Sequence, residues 1–358
     1  MRCDDGIDYA SMDKEKVLQT NRRRIAAWLL ACCTLLFVLI VVGGVTRLTR
    51  SGLSIVEWQP IVGTLPPMSE AQWLEVFDKY KQTPEYRQVN FGMSLEAFKG
   101  IFWWEYVHRL LGRLLGLAFF APMLWFLLRR QIDRKLGLKL AGILVLGALQ
   151  GLMGWYMVKS GLVDDPRVSH FRLTAHLGLA FLIFAAMFWV AFDLLRSETQ
   201  RSQPAPLQLR LAAFAVALVW VVFLMVLTGG LVAGIRAGSA YNTFPLMNGH
   251  VAPPEIFMIE PWHLNFFNNM ATVQFDHRLL AWLLAFFVPR LWFACRRLDS
   301  AHGARVAANA LLFALALQIA LGIATLVMHV PIALAAAHQA GAVVVFATTL
   351  ALAHVLRK

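Results

Sequence analysis

Of the chain's ten histidines, four stand in two couples that recur along the sequence. His108-Arg109-Leu110-Leu111 returns as His277-Arg278-Leu279-Leu280, and His176 with Gly178 returns loosely as His338 with Gly341. A single histidine in an apolar stretch is more often a hydrogen-bonded packing residue than a ligand. A couple is different, because two imidazoles offered at one depth from two helices can grip a flat macrocycle on both faces. Haem iron accepts axial imidazole, and the cores of helix bundles are a usual place for such sites. Zinc would call for three or four ligands with cysteine or carboxylate help, and none is at hand. The spacing therefore points to two haem sites.

The two couples differ in one respect. Three residues before His108 stands Glu105; at the matching place before His277 stands Gln274. Glu105, His108 and Arg109 share a helix face at i, i+3 and i, i+4 spacing, and a charged side chain within a bilayer costs about 2.5–3.5 kcal/mol on insertion scales. The plain structural explanation is an ion pair with Arg109 or Arg113. The functional one is a proton acceptor or charge stabiliser beside one porphyrin only. Arg50 and Arg236, at matching positions further along, could meet haem propionates; ordinary surface charge accounts for them equally well.

Placing these groups falls to helices in a membrane. The apolar set makes up 59% of the 358 residues and the charged set only 15%, whereas soluble domains carry about 25% charge. That is too little charge to coat a soluble globule, and 12% aromatics exclude a disordered chain. Stretches of about 20 apolar residues run over Ile25–Val45, Ile101–Leu128, Leu136–Met157, Phe171–Leu195, Leu209–Val232, Met270–Leu291, Val306–Met328 and Ile332–Leu356. The fold class is thus all-α integral membrane with eight transmembrane helices. A cleaved signal would have a shorter apolar region and a small-residue cleavage site, so the first stretch reads as a first membrane helix.

Basic residues sort onto one side: Arg22–Arg24, Arg129 to Lys139, Arg196 to Arg210, Arg296 to Arg305, and Arg357 with Lys358. By the positive-inside rule that side is the cytoplasm, with both termini in it. The net charge of +12 then reads as topogenic, and no nucleic-acid partner is expected. Two long segments, 47–100 and 233–268, face outward. Within the first, Ser69-Glu70-Ala71-Gln72 has the form of a capping box, followed by Trp73, Val76, Phe77 and Tyr80 at helical spacing; a structured loop on the membrane surface is expected. Cys32 and Cys33 are expected to pack inside the first span. His170, His250, His263 and His329 near the outer loops, and His302 and His354 near the inner face, read as structural.

Internal repetition organises the whole chain. Gly43-Gly44, Arg50 and Gly52 recur as Gly229-Gly230, Arg236 and Gly238; Gln150-x-x-x-Gly154 recurs as Gln318-x-x-x-Gly322. Four helices per copy is an even number, so both copies cross in the same sense, giving two four-helix bundles as a parallel repeat. The expected divisions are a cytoplasmic leader (1–24), a first half (25–196) with the outer loop 47–100, a cytoplasmic linker (197–207) and a second half (208–358). Each of the four histidines then begins a helix entering from outside, on the order of 10 Å below the surface.

From about Arg22 onward the residues resemble the haem A synthases of bacteria and mitochondria. The resemblance rests on Gly43-Gly44-Val45-Thr46-Arg47-Leu48-Thr49, on Glu105-x-x-His108-Arg109, on His176, and on the pair His277 and His338. It implies oxidation of a porphyrin methyl of haem O to a formyl group, giving haem A for terminal oxidases. It implies that His277 and His338 ligate a haem b cofactor, that His108 and His176 flank the substrate haem, and that Glu105 is essential to the chemistry. Some bacterial relatives carry a cysteine pair in the first outer loop. This chain has none there, so it is similar to the proteobacterial and mitochondrial branch, and a thiol-based step is not expected. The absence of a leader typical of mitochondrial import favours a bacterial inner membrane.

Two rival functions fit the same histidines. A two-haem membrane cytochrome would pass electrons without altering either haem, and a haem or quinone transporter would use the histidines as transit ligands. Against the transporter stand the parallel repeat and the lack of paired broken helices. Beyond haem O and the lipid bilayer, the synthase needs a membrane or soluble electron acceptor. A haem O synthase is a candidate docking partner, and a homo-oligomer is compatible with these features.

Overall fold

The computed structural model describes residues 9–58, 62–162, 166–196, 205–298 and 302–357. Eight of its helices are long and apolar enough to cross a membrane: α1 (Tyr9–Leu48), α4 (Leu95–Leu128), α5 (Arg134–Lys159), α6 (His170–Leu195), α7 (Pro206–Gly234), α9 (Met270–Arg296), α10 (His302–Val327) and α11 (Ile332–Leu356). Three short helices complete the set: α2 (Glu70–Lys81), α3 (Pro84–Gln88) and α8 (Asn265–Asn268). Among the described residues there is no strand, only the isolated bridge between Met247 and His250. Helices of this kind satisfy every interior backbone group within the segment, as a hydrocarbon medium demands.

Every expected span is found, and the ends follow from local chemistry. The capping box at Ser69 and Gln72 forms in full and opens α2. Ser94 caps α4 by accepting the Ala97 amide, Asp133 caps α5 from Leu136, and Asn269 caps α9 from Ala271 and Thr272. The two largest departures from the expected bounds are at helix starts. Helix α1 begins at Tyr9 and runs for 40 residues, about 60 Å, because the polar segment ahead of Ile25 holds no helix breaker and continues the apolar helix. Helix α4 begins six residues before the expected Ile101, where Ser94 provides the cap. Most of the expected linker, and the first eight residues of the leader, lie outside the described residues.

Four helices make the centre. Helix α1 packs along α6 and α4, α7 along α11, α6 and α9, and α11 also touches α1 and α6. The buried core runs through them from Ile25, Leu29 and Leu36 of α1 to Phe181, Phe184 and Met187 of α6, Leu218 and Val222 of α7, and Phe346, Leu350 and Leu352 of α11. Cys32 and Cys33 are buried in it, as expected. Helix α5 is peripheral and buries only Leu140 and Ile143.

The end near the chain termini is tied by polar contacts. Asp193 on α6 meets His354 Nε2 of α11 at 3.0 Å and Lys139 of α5 at 3.4 Å, while Arg22 of α1 donates to the Asp193 carbonyl at 3.4 Å. His354 is also edge-on to Trp189 and Phe192. These contacts tie α11 to α6 at that end. At the opposite end, which carries the two long loops, α2 and α3 fold down onto the extension of α4. Phe77 and Tyr80 stack near Phe98 at 4.9 and 5.0 Å between ring centroids, and Trp73 meets Phe102 edge-on. This aromatic cluster, with pairs worth about 0.5–1.5 kcal/mol each beyond their area, fixes the loop to α4.

Candidate haem sites at the loop end

The four histidines stand in the first two turns of α6, α9 and α11 and further along the outward-extended α4. His108 lies close enough to His176 to feel its charge, and His277 likewise to His338. The structure thus brings together the two couples read from the sequence and keeps all four rings half-buried.

Each ring rests against a glycine of a neighbouring helix. A Cβ added at Gly43 would stand 2.8 Å from His108 Cε1, and at Gly154 3.1 Å from His176 Cε1. At Gly229 it would stand 3.2 Å from His277 Cε1, and at Gly322 2.8 Å from His338 Cε1. At Gly43 and Gly322 real side chains essentially never approach so closely, and at Gly154 and Gly229 the ring would have to give by a few tenths of an ångström, so glycine leaves the rings their room. The second glycine of each doublet is crowded by another helix: Gly44 by Gln339 of α11, Gly230 by Thr174 of α6. Gln339 also donates to the Ile40 carbonyl at 2.8 Å. The doublets at 43–44 and 229–230 therefore seat an imidazole with one residue and admit a close helix crossing with the next.

The histidine backbones are held as well. Gln150 donates to the His176 carbonyl at 3.0 Å, and Gln318 to the His338 carbonyl at 2.9 Å. Thr228 Oγ1 meets His277 Nδ1 at 2.9 Å. The recurrence of Gln-x-x-x-Gly in the sequence was the signal for these contacts: the glutamine anchors the histidine's main chain and the glycine, one turn on, clears space for its ring. Thr228 has no such signature.

Haem fits this donor set. His176 Nδ1 is buried without a hydrogen-bond partner among the described residues, and the four glycine seats hold the rings at fixed places. Each couple supplies two nitrogens, the number that iron already bound by four porphyrin nitrogens requires. Among the described residues no three His, Cys, Asp or Glu side chains gather as a cage for a bare ion.

Glu105 is 2% exposed and fully engaged. Its Oε2 accepts from Ser54 Oγ at 2.7 Å and from the Ile55 amide at 2.8 Å; its Oε1 accepts from Arg109 Nη2 at 2.6 Å and Nε at 3.0 Å. Arg109 is itself braced by the Ile55 and Glu57 carbonyls. The ion pair expected as the structural alternative is therefore made, with Arg109 as its partner. At the matching place Gln274 donates to the Tyr241 carbonyl, as does Arg278, and the Gln274 Oε1 is buried without a partner among the described residues. Among the described residues, the His108–His176 couple has a buried carboxylate one helical turn from a histidine, Glu105, where the other couple has Gln274.

Arg50 and Arg236 occupy corresponding points just past α1 and α7, both with left-handed backbone (φ 54° and 57°), a conformation costing a non-glycine residue about 1–2 kcal/mol. Arg236 lies in the fields of Arg50, Arg167 and Arg47. Burial and the neighbouring Arg50 and Arg167 lower its proton affinity. The sequence paired Arg50 with Arg236 by repeat position; their convergence with Arg47 depends on how the helices cross and was not legible.

Comparison with known proteins came out uniform. A family model described as COX15-CtaA, cytochrome oxidase assembly protein, matches residues 26–350. A protein of Nitrosospira multiformis named "Heme A synthase" is 63% identical over 337 residues, 94% of each chain. Another of that name, from Nitrosomonas eutropha, is 59% identical over 92% of this chain and 93% of its own length. A third, from Parvibaculum lavamentivorans, is 50% identical over 94% of this chain and 96% of its own.

Proposed function

The chain belongs to the COX15-CtaA family, and from that premise we propose that it is a haem A synthase, a multi-pass membrane oxidoreductase converting haem O to haem A. A porphyrin methyl of haem O becomes a formyl group. The observation that carries this reading beyond the family likeness is the asymmetry of the two couples. Glu105, buried and held by four hydrogen bonds, stands by His108 and His176, while Gln274 stands by His277 and His338.

In this reading the chain is two four-helix halves, 25–196 and 208–358, joined by the linker 197–207. His108 and His176 flank the substrate haem O. His277 and His338 would hold haem b, which supplies one-electron redox chemistry when bound. Thr228 and Gln318 fix the orientation of that second couple, as outer partners of metal-ligating histidines do. Oxidising the methyl leaves positive charge at the ring edge, and the fixed Glu105 anion, preorganised by Ser54, Ile55 and Arg109, stabilises it where it develops. Arg50 and Arg236, with Arg47, form a cationic patch suited to the propionates of both haems. The loop end faces the periplasm of a bacterial inner membrane, with both termini in the cytoplasm, the basic residues setting that orientation. A haem O synthase supplies the substrate, and a membrane or soluble acceptor removes the electrons.

The direct test is haem extraction from a strain that makes haem O but no haem A. Expressing this chain should make haem A appear. Haem O alone, with the chain present in the membrane, would leave the electron-carrier or transporter reading. The glycine seats give a second prediction. Gly322→Ala places a methyl on the His338 ring, so the purified protein should lose haem b or show a shifted haem spectrum. The loss should reach at least the about 10-fold effect typical of disturbing a ligand's support; full haem content with an unaltered spectrum would refute the seat.

A further inference from the structure

A second carboxylate of the substrate-side loop has no part in the scheme above. Glu85 lies in the first turn of α3, which Thr83 caps by accepting the Tyr86 amide. It is 4% exposed, and its Oε2 is buried without a hydrogen-bond partner among the described residues. A buried polar atom left unsatisfied destabilises the folded state, so the fold gains nothing from it. Glu85 stands in the fields of Glu105 on α4 and Arg50 at the end of α1, and Tyr80 of α2 feels both carboxylates. Tyr86, on α3 itself, is edge-on to Tyr80. The two glutamates thus share one cluster beneath the loop helices. The other long loop has no buried counterpart, since its Glu255 and Glu260 are both exposed, Glu255 accepting from Tyr241.

The division of labour follows from hydrogen-bond capacity. A carboxylate offers about four lone-pair sites, and Glu105 fills four with Ser54, Ile55 and two nitrogens of Arg109. It cannot take a proton without breaking one of those bonds. Glu85 has an oxygen to spare. Burial, reinforced by the charge of Glu105 and opposed by Arg50, pushes its carboxyl up to about 7. A group that titrates near the working pH both accepts and releases protons readily.

We infer that Glu85 is the proton-transfer carboxylate of the substrate side, carrying protons from the reacting haem to the water beyond α2 and α3 while Glu105 remains a fixed anion. This rests on the haem A synthase reading. In the oxidation of a hydroxymethyl to a formyl group, one C–H and one O–H bond break and the C=O bond forms. Two electrons leave to one-electron iron acceptors, and two protons must leave the buried site. Each proton in turn bonds to a Glu85 oxygen and is then released to outer water, restoring the carboxylate.

The test follows haem A formation with pH in membranes from cells that also make a haem O synthase, comparing the native chain with Glu85→Gln. The native rate should fall about tenfold per pH unit below an inflection near 7, because the protonated carboxyl cannot accept. Glu85→Gln should be slower by about 10²-fold, flat through that range, and unchanged in haem b content and spectrum. A Gln variant with native rate and inflection overturns the proposal. So does a variant that loses haem b in step with its rate, which would make Glu85 structural. Failure of the native chain to form haem A would sink the synthase reading instead.

Discussion

Glu105→Gln should leave a folded protein that carries haem b yet accumulates haem O or a partly oxidised haem, with haem A formation down by about 10²–10³-fold. The fold should survive because the matching position already holds a glutamine, Gln274, buried to 3% exposure. The amide keeps the shape of the side chain and can still accept from Ser54 and Ile55. Arg109 loses its ionic partner but keeps the Ile55 and Glu57 carbonyls, so its charge is not stranded. What disappears is the negative charge itself, held 2.6 Å from Arg109 on one side and bonded to Ser54 on the other. If that charge stabilises the oxidised ring edge, the chemical step slows while haem b binding, in the other half, is untouched. Haem extraction followed by chromatography reads both quantities at once. Unchanged haem A output would refute the role of Glu105 and reduce its ion pair to a structural one.

The architecture was legible because a bilayer leaves few options. Eight apolar stretches became eight helices, displaced mainly where caps or a continuing polar helix decided the ends, as at Ser94 and Tyr9. Repetition made the histidine couples legible too: a doublet of imidazoles recurring in the same order in two copies is hard to explain by packing. The capping box at Ser69 was legible because both of its hydrogen bonds are local. What stayed hidden depends on contacts across the chain. Glu105 accepts from Ser54 and Ile55, some fifty residues away, through a loop turn with no sequence signature. Glu85 looks like a solvated charge in an amphipathic loop until α2, α3 and α4 close over it. The glycines were visible as repeats, but their meaning required the imidazoles that press on them.

The sharpest division between the halves comes from removing one imidazole from each couple. His277→Ala takes away a ring whose Nδ1 is fixed by Thr228 and whose Cε1 lies over Gly229. Its partner in the couple is His338. Purified protein should retain less than about a tenth of its haem b, because losing a ligand must exceed the about 10–100-fold effect of losing a ligand's outer partner. His108→Ala removes the corresponding ring over Gly43 beside His176 and Glu105. It should keep haem b near its full level while halting conversion, so that haem O collects. Both variants delete a similar volume from similar depth, so a general loss of stability would lower haem b alike in the two. The reverse pattern, haem b lost from His108→Ala and kept in His277→Ala, would exchange the roles of the halves. Equal loss in both, with the two variants as abundant and as thermally stable in the membrane as the native chain, would mean that the couples do not form separate sites, and the assignment of a substrate half and a cofactor half would fall.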